Sequence, residues 1–362
     1  MFKRIVRSFA FVLLGFLLLA GISRVLLGSA FANLGFVYLN RSLQEHVPQQ
    51  SNLTSANYWF LRAFVWDQRN IRTDYGLGQV WIMQGRYSEA VQVLERAVEN
   101  RPSDVLMHLA LGDAYNGVGD RDRAIGEWQK DEIKRVLYYR GQRYEKNKEW
   151  EKASYWYMAA MEVDPNWVTP CYSLGQVRRA QEMLPEALYY LLRASSLAPD
   201  DPSIHHQLGL IYMSQGKTVQ TIEEFEQTLQ LAPNDMWTTI YLASLYLGQG
   251  DLDRTTYYAL RASAQSQYPR SHYVLGTVYR QQGSLGMAIA EFEEAVRLAS
   301  WWNQSQEPRV SVDEMVQYHL ALAQAYYDTD RVQEAITVYK AVLILDPQNA
   351  PAMVALQRLE GK

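Results

Sequence analysis

The stretch Tyr75-Gly-Leu-Gly-Gln-Val-Trp-Ile-Met-Gln-Gly-Arg-Tyr-Ser-Glu-Ala-Val-Gln-Val-Leu-Glu-Arg-Ala-Val-Glu-Asn-Arg-Pro102 decides the fold. It reads as two amphipathic helices joined by a tight turn at Gly85. Leu77, Gly78 and Trp81 share one face of the first helix, and Ala90, Leu94 and Ala97 share one face of the second. Pro102 has no amide hydrogen to continue a helix, so it closes the pair.

Much of the chain repeats this unit. Its small residue recurs at Gly78, Gly112, Gly141, Gly175, Gly209, Ala243, Gly276 and Ala323, at intervals of 34, 29, 34, 34, 34, 33 and 47. Three residues after each stand Trp81, Tyr115, Tyr144, Arg178, Tyr212, Tyr246, Tyr279 and Tyr326. Twelve residues after stand Ala90, Ala124, Ala153, Ala187, Thr221, Thr255, Ala288 and Ala335. Prolines 102, 165, 199, 233 and 347 close five units. Over residues 71–349 this pattern resembles the tetratricopeptide (TPR) repeat family. The copy from Gln207-Leu-Gly-Leu-Ile-Tyr212 through Phe225 to Pro233 departs only by Thr221 and Thr228, where alanine is usual.

The resemblance implies an all-α fold, a right-handed α-solenoid of stacked helical hairpins. A single hairpin cannot cover its apolar stripe, so stability would come from interfaces between neighbours. We expect eight units in 71–349. The second is five residues short, which predicts either a truncated second helix or a nearly continuous one, with a kink in the stacking. An insertion at 301–312 opens with Trp301 and Trp302, read either as a cap on the apolar layer or as a contact for a partner or membrane. Residues 350–362 read as a capping helix, with Arg358, Glu360 and Lys362 outward. Residues 31–70 carry a degenerate unit: 57–66 fits a second helix, and 31–38 is either its first helix or the tail of an anchor.

Residues 1–30 are of another kind. Lys3, Arg4 and Arg7 precede an uncharged apolar run from Phe9 to Ile22. The run spans roughly 21 Å as a helix, and Arg7 and Arg24 could snorkel to lengthen it. We expect one transmembrane helix with its N-terminus in the cytoplasm and the repeats outside, a single-pass cell-membrane protein. The alternative is a signal peptide cut after Ala30-Phe31-Ala32, giving a secreted chain.

A net charge of -4 gives no footprint for nucleic acid. The lone Cys171 excludes an internal disulfide and a multi-cysteine zinc site. Gly216-Lys217-Thr218 lacks the earlier glycine of a phosphate loop, and His205-His206 has no further ligand at metal spacing, so it reads as a groove-facing polar pair. Asn40, Asn52 and Asn303 sit in glycosylation acceptor patterns. We expect no catalytic site, no cofactor and no metal.

In the family the first helices line the concave surface. Onto that surface the resemblance places Tyr75, Gln79, Tyr138, Gln142, Tyr172, Gln176, Arg179, His206, Tyr273 and Arg280. Three Tyr/Gln pairs four residues apart suit an extended peptide backbone, or a sugar chain. The lysines with which family members grip a C-terminal carboxylate are missing there. The resemblance therefore implies a membrane-anchored scaffold that binds unidentified protein partners in a multiprotein envelope or membrane assembly. The alternative is a carbohydrate-binding or polysaccharide-export accessory protein, with a glycan in the Tyr/Gln groove.

Overall fold

The computed structural model describes residues 24–44, 49–265, 268–305 and 310–361, and all regular structure among them is helical. The chain forms two compact units, divided after Val177. The first holds α1 (Arg24–Gln44), α2 (Gln50–Trp66), α3 (Ile71–Met83), α4 (Tyr87–Asn100), α5 (Val105–Val118), α6 (Arg121–Trp128), α7 (Asp131–Lys146), α8 (Trp150–Val163) and most of α9 (Val168–Ala180). The second holds α10 (Leu184–Leu197), α11 (Pro202–Ser214), α12 (Thr218–Leu231), α13 (Met236–Gln249), α14 (Leu252–Gln265), α15 (Pro269–Gln281), α16 (Leu285–Ser305), α17 (Val312–Asp328), α18 (Val332–Leu345) and α19 (Ala350–Glu360). Within each unit, consecutive helices pack as antiparallel hairpins stacked side by side, a solenoid-like arrangement.

Local chemistry sets where the helices start and turn. Asn70, Asp104, Asp201, Asp235 and Asn349 each cap a helix by accepting a backbone amide hydrogen with the side chain. Ser311 and Glu314 form a reciprocal capping box on α17. Seven residues after the small residue of each repeat the backbone turns left-handed. Glycine occupies that place at 85, 119, 216, 250 and 283, while Lys148, Glu182 and Asp330 occupy it in the other three, at φ of 59°, 62° and 58°.

The small residues are where the helices of a hairpin touch. A Cβ added to Gly78, Gly112, Gly141, Gly209 or Gly276 would fall 2.2–2.7 Å from Leu94, Trp128, Tyr157, Phe225 or Phe292, sixteen residues on in each case. Thr221 and Thr228, the departures from alanine, are fully buried, and their hydroxyls donate to the carbonyls of Lys217 and Glu224. Three of the six tyrosines that stand three after the small residue tie a first helix to the hairpin before it. Tyr115 donates to Glu95, Tyr246 to Glu226 and Tyr326 to Glu293. Arg123, Arg254 and Arg331 lie 4.2–4.5 Å over those rings. Burial and the neighbouring glutamates push each of these phenols up to about 12.

The short second unit is resolved in favour of truncation. α6 has eight residues where α4 has fourteen, and its last residue, Trp128, is wholly buried. Upstream, α1 and α2 pack as a hairpin, and 31–38 lies within α1. The Phe60 ring of α2 lies between Gly35 of α1 and Gly76 of α3. Among the described residues no helix is long and apolar enough to cross a membrane. The segment from Phe9 to Ile22, on which the anchor is predicted, lies outside the described residues, as do residues 306–309 of the insertion and Lys362.

At the insertion α16 runs on to Ser305. Trp302 packs edge-on against Tyr268 at 5.1 Å, whose ring meets Trp237 at 4.6 Å, and it joins two core clusters. Trp301 remains 41 % exposed. Trp302 thus packs into the core as a cap would, while Trp301 is exposed. Asn303 is bonded to Val310 on both sides of its amide, donating to the carbonyl and accepting from the backbone N–H at 2.6 Å. The terminal α19 covers the last apolar face with Ala352 and Leu356 and leaves Arg358 and Glu360 exposed.

Candidate functional site

The ten residues assigned to the groove separate into distinct groups. In the first unit, α7 and α9 each present a Tyr/Gln pair joined within its helix. Gln142 donates from Nε2 to the Tyr138 hydroxyl, and Gln176 to the Tyr172 hydroxyl, both at 3.0 Å. The Tyr138 hydroxyl also lies 3.3 Å from the buried Ser173 Oγ, so the two helices meet at this point. Its ring is held by Tyr157 at 5.4 Å and Trp167 at 5.3 Å. Aromatic packing fixes Tyr138, and each tyrosine hydroxyl holds a glutamine. Among the described residues nothing bonds the carbonyl oxygens of Gln142 and Gln176, which leaves them as oriented acceptors.

Tyr75 and Gln79 do not repeat this geometry. Tyr75 is half-buried against the core, and burial, followed by the nearby Asp104 and Asp113 charges, raises its phenol above the ordinary value. In the second unit His206 is half-buried, with Nδ1 2.7 Å from Thr238 Oγ1 and its ring beside Phe225 and Tyr241. Burial lowers its pKa; Asp235 opposes this and Arg179 reinforces it. Tyr273 and Arg280 belong to another place in the same unit. They line a cleft of about 470 Å³ among α15, α16, α17, α18 and α19.

His205 does not form a polar pair with His206. Its Nδ1 lies 2.7 Å from Glu224 and its Nε2 2.8 Å from the Pro199 carbonyl. His108 repeats both contacts with Glu127 and the Pro102 carbonyl, and His272 repeats the first with Glu291. Each pair is separated by nineteen residues and braces the two helices of one hairpin. Three copies of that spacing at one place in the repeat were the signal by which the sequence could have disclosed them.

A second feature had no such signal. Arg140 of α7 and Asp113 of α5 form a two-bond ion pair, both bonds 2.7 Å, in a cleft of about 340 Å³ that also takes in Asn116, Arg143, Tyr144 and Trp156. Twenty-seven residues separate the partners, and only the stacking of hairpins brings them together. Among the described residues no group of three or more His, Cys, Asp or Glu could hold a metal ion.

Comparison with known proteins agrees with the repeat architecture. Residues 75–136, 269–300 and 316–349 match models described as tetratricopeptide repeat, and 175–216 matches one described as TPR repeat. The chain is thus a tetratricopeptide repeat protein. No curated protein matches it. Among solved structures it is similar to PilW, a widely conserved type IV pilus biogenesis factor, at 15% identity and TM-score 0.50, over 63% of this chain and all of that one. It is also similar to MamA 41-end from Desulfovibrio magneticus RS-1, at 20% identity and TM-score 0.42 over 51% of this chain and 97% of that one. A third similar structure is PilF of Pseudomonas aeruginosa, at 20% identity and TM-score 0.37 over 64% and 92%.

Proposed function

We propose that this repeat protein is a scaffold that holds an extended segment of a partner protein against its first helices, within a multiprotein assembly at a membrane. The observation that carries the reading is the paired arrangement of Tyr138 with Gln142 and Tyr172 with Gln176 on adjacent helices. Repeat packing does not require either glutamine, yet each is tethered with its amide carbonyl unclaimed among the described residues. An extended backbone offers N–H donors in a row, and pre-oriented acceptors bind it at low entropic cost. Tyrosine adds contact area with few rotors to freeze.

Membrane attachment is the second part of the proposal. It rests on Lys3, Arg4 and Arg7 ahead of the apolar run to Ile22, which favours a cytoplasmic N-terminus and repeats on the far side. PilW offers a similar fold in a pilus biogenesis factor; an assembly role for the present chain belongs to this proposal.

The test is recovery of partners from solubilised membranes with the full-length chain. Tyr138→Ala together with Tyr172→Ala is expected to reduce recovery at least fivefold. Unchanged recovery with that variant, alongside loss with Trp301→Ala, would move the contact surface to the end of α16 and sink the reading. Mass spectrometry of the chain in membrane fractions should find Lys3 to Arg7 still attached.

A further inference from the structure

The helix that closes the stack does more than cover apolar surface. α19 brings Arg358 to the cleft in which α15 places Arg280, so two guanidinium groups line one space of about 470 Å³. The other lining residues include Tyr273, Tyr339, Gln317 and Gln324, and no carboxylate lines it. Neither arginine has an ion pair or side-chain hydrogen bond among the described residues. This sets them apart from Arg86, Arg123, Arg254, Arg297 and Arg331, each held by a carboxylate at 2.5–3.0 Å. The neighbouring acid, Asp328, is exposed and accepts from the Gln324 amide at 2.7 Å. Two like charges facing one cleft repel each other, and an anion between them removes that cost.

We infer that the cleft binds carboxylate side chains of an extended acidic segment in a partner protein. The inference rests on the scaffold reading and supplies the chemistry of one partner. Guanidinium groups suit carboxylates because their planar donors match two oxygens at once. Leu320, Val354 and Phe292 give the space an apolar floor, which a peptide uses and a free inorganic anion does not. The Tyr339 hydroxyl donates to Gln324 at 3.3 Å, a long bond that a backbone carbonyl could replace. The volume suits a few side chains of an extended strand.

The experiment is fluorescence anisotropy with the full-length chain in neutral detergent. The probe is a fluorescein-labelled peptide amide in which three glutamates alternate with leucines; its twin carries glutamines instead. The glutamate peptide is expected to bind at least tenfold more tightly than its twin, and more weakly as salt is raised. Arg280→Gln and Arg358→Gln should each weaken it at least fivefold, with melting curves showing that both variants fold. Arg297→Gln, which breaks an exposed pair on α16, should leave it unchanged. Equal binding of the two peptides, or indifference to Arg358→Gln, overturns the inference. So does full displacement by an equal concentration of inorganic phosphate, which would reassign the cleft to free oxyanions. Loss of partner recovery in the Tyr138 and Tyr172 variant, with no acidic peptide bound, refutes this inference alone; the opposite outcome refutes the Tyr/Gln reading alone.

Discussion

Arg140 closes on Asp113 with two bonds of 2.7 Å while its guanidinium lies 4.6 Å over the Trp156 ring. Burial alone would pull the guanidinium down; the bonds and charge of Asp113 outweigh it and hold the group above its ordinary value. One contact thereby joins α5, α7 and α8.

Breaking that pair should therefore cost more than a surface ion pair would. Arg140→Met leaves the Asp113 carboxylate confined without its partner, and we expect a loss of about 3 kcal/mol. Adding Asp113→Asn to that variant should restore part of it. Urea unfolding followed by tryptophan fluorescence checks both, and equal stability of the two variants would contradict the account.

Two glycines in consecutive helices should respond oppositely to alanine. At Gly112 the new Cβ would sit 2.2 Å from Trp128 Nε1, so Gly112→Ala should destabilise, by roughly 1–3 kcal/mol. At Gly126, in α6, nothing lies within 4 Å, and Gly126→Ala should stabilise by about 0.5–1 kcal/mol through helix propensity. Thermal melts read the sign directly.

Lys148 and Glu182 adopt the left-handed turn that glycine fills in five other repeats. Lys148→Gly and Glu182→Gly should each raise stability, by up to about 1 kcal/mol, as the strain of a side chain there exceeds the entropy glycine adds to the unfolded chain. Asp330→Gly should gain less, because aspartate tolerates this conformation better. A fall in melting temperature for Lys148→Gly would be the contrary result.

His206 should make the second unit acid-sensitive. Its folded pKa is lowered from 6.5, chiefly by burial. Between the two values the unfolded chain holds the proton and the native chain does not, so stability declines as pH falls through 6.5 and levels off below the folded value. Asp235 and Arg179 are the charges that face the ring, acting in opposite senses. His206→Gln should flatten that part of the stability–pH curve, measured by urea midpoints at closely spaced pH.

The hairpins were legible because one spacing carries them: a small residue, an aromatic three on, another small residue twelve on. The left-handed residue falls on the same spacing, seven after the small residue, although Lys148 and Glu182 give no local hint of it. The fate of the short unit was not legible, since the residues near Trp128 fit a truncated or a continuous helix until that indole is seen filling the space beside Gly112. Site residues were legible only in part. Tyr138/Gln142 and Tyr172/Gln176 form the same bonded pair, whereas Tyr75 has acidic neighbours that depend on how α3 meets α5. Arg280 was among the candidate residues and Arg358 was not, because 78 residues separate them and only the return of α19 brings them to one cleft.

The Phe60 ring wedged between Gly35 and Gly76 has a mechanical consequence. Each glycine approaches the ring so closely that neither helix could slide along it without lifting off, which should couple α1, α2 and α3. A load applied to α1 would reach the helix that begins at Ile71 through this ring and through the contacts beside it, Arg72 over the Phe36 ring and Trp81 bonded to Asn57.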